Sequence, residues 1–148
     1  MAFEVVDQKF RKQEGEVILP HRTTAESAGY DFHSMEDMLL VPGQQHVFWT
    51  DVKASLPPGT HLEIHPRSSW AIKKDIILKN QTGIIDKDYY NNKSTGGNIA
   101  ICLKNTSKTD VIIKPGDRIA QGIISPHIVF DDKPTTVRKG GIGSTGVN

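Results

Sequence analysis

Asp86 and Asp88 stand two apart in KNQTGIIDKDYY, residues 79–90. In an extended chain, positions i and i+2 share a face, so the spacing predicts two carboxylates side by side, opposite Ile85 and Lys87. Carboxylates that close repel, and keeping both ionised takes a cation, a hydrogen-bond donor or water beside them. A metal-assisted or general-base role would use such a pair. A polar hairpin end with two solvated aspartates would use the same letters.

Four more polar islands share this promise. Asp31 lies in AGYDFHS, residues 28–34. PRSSWA, residues 66–71, sets the guanidinium fork of Arg67 beside the hydroxyls and amides of Ser68 and Ser69 at the start of a possible short helix, a combination suited to phosphate oxygens. GDRIAQ, residues 116–121, puts Arg118 and Gln121 just past a turn. RKGGIGSTG, residues 138–146, has glycines that let backbone amides converge on an anion, with Ser144 and Thr145 adding hydroxyls. It lacks the GxxxxGK[ST] pattern of a Walker A loop. Taken singly, these islands also suit ordinary turn chemistry, a surface cation, a hairpin and a linker.

The elements that must position them read as short strands between turns. Phe3–Phe10, Val17–Leu19, Ala28–Ser34, Leu39–Val41, His46–Leu56, Thr60–His65, Ile99–Leu103, Val111–Ile113 and Arg118–Phe130 are predicted β, with breaks at Pro20, Pro42-Gly43, Pro57-Pro58-Gly59, Pro115-Gly116, Gly122 and Pro126. Arg67–Lys74 is the one predicted helix, capped by Ser68 or Ser69. Strands this short and frequent indicate a sandwich or barrel. At 148 residues, 36% hydrophobic and 24% charged, the chain suits one globular domain, residues 1–130, followed by a glycine-rich tail, 131–148, expected to be mobile alone. A net charge of +1 argues against a nucleic-acid groove binder. The lone Cys102, inside IAICL, reads as a small core residue of a cytoplasmic protein. Neither a signal peptide nor a membrane span is predicted.

In this order, the five islands resemble the five motifs of the trimeric dUTP pyrophosphatase (dUTPase) family, from about Ala28 to the C-terminus. The resemblance implies an all-β, distorted jelly-roll (β-clip) subunit, a homotrimer, and Mg²⁺-dependent hydrolysis of dUTP to dUMP and pyrophosphate. It implies that Asp86 orients and deprotonates the attacking water, that Asp88 is structural, and that Tyr89 stacks under the sugar and excludes a ribose 2′-OH. Asn80, with the Gly83–Ile85 hairpin, would read uracil and reject a 5-methyl group. Arg67, Ser68, Ser69 and Gln121 would hold phosphates, and Asp31 would approach Mg²⁺ through water. Arg138, Gly143, Ser144 and Thr145 would wrap the γ-phosphate, on an arm that closes a neighbouring subunit's site.

Three features depart from the family pattern. Ile142 stands where a phenylalanine usually covers the base, Arg138 falls one residue nearer the glycines, and YYNNKSTGGN replaces a shorter turn. The Asn91–Asn98 part of that segment reads as an exposed hairpin extension, where a partner such as a repressor protein would bind in a phage or bacterial setting. A dCTP deaminase of the same fold is the nearest alternative, but residues 80–90 lack the glutamate its chemistry needs. His61 and His65 share a strand face without a zinc-spaced partner pair and read as ordinary strand histidines.

Overall fold

The computed structural model describes residues 1–132, 134–136 and 138–141. Eleven strands and one helix follow in order: β1 Ala2–Val5, β2 Tyr30–His33, β3 Met38–Leu40, β4 Gln45–Trp49, β5 Val52–Ser55, β6 Thr60–Pro66, α1 Ser68–Lys74, β7 Ile76–Leu78, β8 Gly83–Ile85, β9 Ala100–Asn105, β10 Val111–Ile113 and β11 Arg118–Pro126. They form a four-stranded sheet, β2-β11-β6-β8, a three-stranded sheet, β4-β9-β7, and two strand pairs, β1-β5 and β3-β10. The strand pairings are antiparallel throughout. This is an all-β jelly roll.

Period-two alternation decides which side chains enter the core. β6 buries Leu62 and Ile64 and turns His61, Glu63 and His65 outward, while β9 buries Ile101 and Leu103 between the less buried Ala100, Cys102 and Lys104. Phe32, Leu62 and Ala120 from the four-stranded sheet meet Phe48, Ile76 and Leu103 from the three-stranded sheet in one cluster. Each large side chain fully withdrawn from water contributes about 1.5–3 kcal/mol. That burial holds the short strands in register; three residues of ladder would not.

Four expectations need correction. Val17–Leu19 forms no strand; its one ladder contact nearby is the bridge between His21 and Asp31. The first run ends at Val5, and residues Gln8–Phe10 form a 3₁₀ turn. The predicted strand His46–Leu56 is two strands, because Asp51 between them takes a left-handed φ of 55°. The α1 cap is Arg67, with no side-chain cap hydrogen bond, so Ser68 and Ser69 are the first helical residues instead of its caps.

The strain at Asp51 has a purpose. Its carboxylate is fully buried and accepts the amides of Lys12 at 2.9 Å and Gln13 at 3.0 Å, the Asn98 amide at 2.7 Å and Arg11 Nε at 3.4 Å. In return, the Asp51 amide donates to Asn98 Oδ1 at 3.0 Å. One residue thus ties the N-terminal segment to the chain after Tyr90. Asp51→Ala strands several buried donors, and a loss of about 3–5 kcal/mol is expected in urea unfolding.

That knot also corrects the reading of Asn91–Asn98 as an exposed hairpin. Asn92, Gly96, Gly97 and Asn98 are buried, and only Asn91, Lys93 and Ser94 are exposed. The Asn92 side chain bonds Tyr89 O at 2.8 Å and the Ser94 and Thr95 amides at 3.1 and 2.9 Å. Gly96, at φ 63°, lies so close to the Phe10 ring that a Cβ there would stand 2.2 Å from it. The segment is folded inward by contacts to residues some 90 positions away, which no local pattern announces.

Candidate active site

The polar islands assemble into two separate cavities that share no lining residue. The first lies where β2, β11 and the start of α1 meet. Gln121 pairs with Asp31 on one side and His65 on the other, and α1 begins directly after β6, so Arg67, Ser68 and Ser69 arrive at the same edge. Asp31 is nearly buried and fully engaged: Oδ1 accepts from Arg67 Nε at 2.9 Å, and Oδ2 from Arg118 Nη1 at 3.2 Å and the Thr23 hydroxyl at 2.9 Å. One carboxylate between two guanidinium groups leaves a net positive cavity with hydroxyls and helix-start amides around it, an arrangement that accepts phosphate oxygens. His33 adds little to that charge. Burial is the main cause that pushes its imidazole below the usual value, with the stacked His21 ring 5.3 Å away acting in the same direction.

Gly29 fits this cavity by absence. A Cβ there would come 2.7 Å from Gln121 Oε1, so only glycine leaves the Gln121 amide where it is, donating to Pro66 O at 3.1 Å. Thr23 and Gly29 were not foreseen as site residues; a glycine at a strand entry was the one sign for the second.

The second cavity opens between β6–β8 and β7–β9, lined by Asn80, Gly83, Ile85, Tyr89 and Cys102 with Ile64 and Leu78 among the apolar walls. Gly83 sits so close to the wall that a Cβ would meet Ile64 Cβ at 3.2 Å and Asn80 Nδ2 at 3.5 Å. Tyr89 is buried, and its hydroxyl donates to Asn98 O at 2.7 Å, which fixes the ring. Cys102 is a wall residue here, contrary to its reading as core.

Asp86 and Asp88 do not share an extended face. β8 ends at Ile85, Asp86 begins a 3₁₀ turn, and Asp88 falls inside it. The cation that two close carboxylates require is nevertheless present: Arg138 Nε bonds Asp88 Oδ1 at 2.7 Å, and its Nη2 bonds Asp86 Oδ2. The guanidinium also lies 6.0 Å from the Tyr89 ring centre. Arg138, expected among phosphates, is therefore placed with the second cavity of its own chain and not beside Arg67. Ile142, Gly143, Ser144 and Thr145 lie outside the described residues.

The histidine face resolves differently from a zinc site. His61 and His65 both bond Glu63, at 3.0 and 2.8 Å, and these bonds hold the Glu63 carboxyl below its usual range. His61 Nδ1 stands 3.2 Å from His127 Nδ1. Among the described residues, no group of three or more His, Cys, Asp or Glu is placed to hold a metal ion.

A basic cavity suited to anions and a second cavity of mixed apolar and polar lining, with the Asn80 amide on its wall and Asp86 bonded to its lining residue Arg138, are set in one all-β domain. The sequence profile of the dUTPase family matches residues 15–146, and the chain belongs to that family. It is 38% identical over 147 residues to the deoxyuridine 5′-triphosphate nucleotidohydrolase of Lactococcus lactis, covering 97% of this chain and 96% of that protein. The corresponding protein of Oryza sativa is 38% identical over 145 residues, covering 94% and 80%. Among solved structures, the dUTPase from Streptococcus mutans superposes with a TM-score of 0.79 at 35% identity over 89% of this chain and all of that one. The dUTPase from phage phi11 of Staphylococcus aureus gives 0.70 at 25% identity over 90% and 94%. Among the described residues, no helix is long and apolar enough to cross a membrane.

Proposed function

We propose that this chain is a dUTP diphosphatase, hydrolysing dUTP to dUMP and pyrophosphate, and that its active site is composite, formed between copies of the chain. The observation that carries the composite site is the separation of the two cavities: the phosphate-binding groups and the base-binding groups of one chain line different walls and share none. Joining the triphosphate cavity of one copy to the nucleoside cavity of another completes a site, and a closed homotrimer gives three such sites. An unburied apolar run supports an interface: Ile128, Val129 and Phe130 are 100%, 72% and 93% exposed in the single chain.

In this reading Asn80 and the Gly83 hairpin recognise the uracil edge, and Tyr89 backs the sugar. Arg67, Ser68, Ser69 and Gln121 hold the phosphates. Water attacks the α-phosphorus, its oxygen forms the new P–O bond, the bond to the β-phosphate bridge breaks, and Asp86 takes the proton. The arm that carries Ile142, Gly143, Ser144 and Thr145 closes over the nucleotide; its Arg138 lies against Asp86 and Asp88 of the same chain in the single subunit. The donor set suits Mg²⁺ bound chiefly by the substrate, because Asp31 has both oxygens engaged and meets an ion through water more readily than directly. Mg²⁺ would neutralise charge on the phosphates when bound. A structural Mg(II) ion is named for a phage phi11 dUTPase.

Subunit mixing tests the composite site. Asp86→Asn and Arg67→Ala each inactivate a homotrimer, but in mixed trimers some sites pair an intact Asp86 with an intact Arg67. Activity that reappears after mixing and reassembly is the expected result; two variants that stay dead together place the whole site in one chain. A repressor-binding role for residues 91–98 would rest on Asn91, Lys93 and Ser94, the exposed residues of that segment.

A further inference from the structure

We infer that Cys102 sets the limit on which pyrimidine the base cavity accepts, an inference that rests on reading this cavity as the nucleoside site. β9 contributes Ala100, Ile101 and Cys102 to the cavity lining, and Ala100 and Cys102 share the less buried face of the strand. At one end the Lys79 amide donates to Cys102 O at 2.9 Å, which sets Cys102 across from the residue just before Asn80. At the other end the Tyr89 hydroxyl holds Asn98 O, two residues before Ala100. The base reader thus marks the Cys102 end and the tyrosine marks the Ala100 end.

Pyrimidine chemistry makes the Cys102 end the discriminating one. C5 is bonded to the carbon that carries O4, so a methyl on C5 emerges beside the edge that Asn80 and the Gly83 hairpin meet. Gly83 pairs with Ile64 on β6, and a β-carbon at Gly83 would stand 3.2 Å from Ile64 Cβ, so little space is left behind the hairpin. Ile64 and Leu78 behind it are core residues, 2% and 3% exposed. Cys102 lines the same cavity as Asn80 and Gly83 from the β9 side, and the clearance for a methyl is assigned to its thiol. A residue smaller than cysteine opens the space; a larger one fills it.

Cys102 is the sole cysteine, so its alkylation reports on this wall alone. Burial raises its pKa above the ordinary thiol value, so labelling of the intact protein with iodoacetamide belongs at alkaline pH. Saturating dUMP is expected to slow that labelling at least about tenfold. Cys102→Ala is expected to raise kcat/KM for dTTP relative to dUTP by about tenfold, the lower end of what one methyl-sized difference is worth in a binding pocket. Cys102→Leu raises KM for dUTP well above its effect on kcat. Wild-type protein that hydrolyses dUTP while dUMP leaves the alkylation rate unchanged overturns the placement of Cys102, whether or not the leucine variant folds. Protection by dUMP with an unchanged dTTP/dUTP ratio in Cys102→Ala overturns its role in selectivity. Wild-type protein that releases no pyrophosphate from dUTP removes the nucleotide reading itself, and this inference with it.

Discussion

Asp86→Asn is expected to bind nucleotide with nearly wild-type affinity and to turn it over about a thousandfold more slowly, within the range that positioned general bases supply. The amide keeps the shape of the carboxylate and can still orient water, but it cannot take the proton. Its neighbours survive the change: Asp86 is the N-cap of the 3₁₀ turn Lys87–Tyr89 and makes no side-chain cap bond, so the turn does not depend on its charge. Arg138 retains Asp88 as a partner. Isothermal titration with a non-hydrolysable dUTP analogue and a pyrophosphate-release assay separate the two quantities. Intact turnover would move the base to another group, while lost binding would make Asp86 a ligand more than a base.

Deleting residues 138–148 is expected to leave a folded oligomer whose kcat/KM for dUTP is lower by about a hundredfold or more, the scale on which loss of preorganised donors around a reacting anion is felt. Among the described residues the β domain is complete without the arm: the last strand, β11, ends at Pro126, and the core cluster includes none beyond Ala120 and Ile124. The deletion removes Arg138 from Asp86 and Asp88 and Gly141 from the face of Tyr89, where an added Cβ would lie 3.3 Å from the ring. It also removes Ile142, Gly143, Ser144 and Thr145. Thermal unfolding and size-exclusion chromatography establish that the β domain persists. Unchanged kcat/KM would show that the arm closes no site.

What local chemistry dictates was legible in the residues before any coordinates. The alternation in THLEIHP put Leu62 and Ile64 inward and left a polar face, and Pro115-Gly116 turned the chain into β11. Arg67, Ser68, Ser69, Asp31 and Gln121, from three separated stretches, do meet in one cavity. Long-range contact decided the remainder. Nothing near Asp51 in sequence says that Lys12, Gln13 and Asn98 will surround it, yet that contact bends the chain to a left-handed φ and splits one strand into two. The polar letters of Asn91–Asn98 suggest solvent; their bonds include those to Tyr89, Phe10, Asp51 and each other. The aspartate pair was recognised, but its geometry was not, because β8 stops one residue before it. Cys102 is apolar in context and gave no sign of facing a cavity, since a strand that separates core from pocket reads as hydrophobic on both faces.

The most direct measurement is pyrophosphate release from dUTP, dCTP, dTTP and UTP in parallel, each with Mg²⁺ and with a chelator. Rapid release from dUTP alone, abolished by the chelator, is the predicted result: it joins base recognition by the Asn80 cavity, exclusion of a 2′-hydroxyl at Tyr89 and phosphate activation at Arg67 in one experiment. Comparable release from UTP or dTTP, or none from dUTP, would contradict the account.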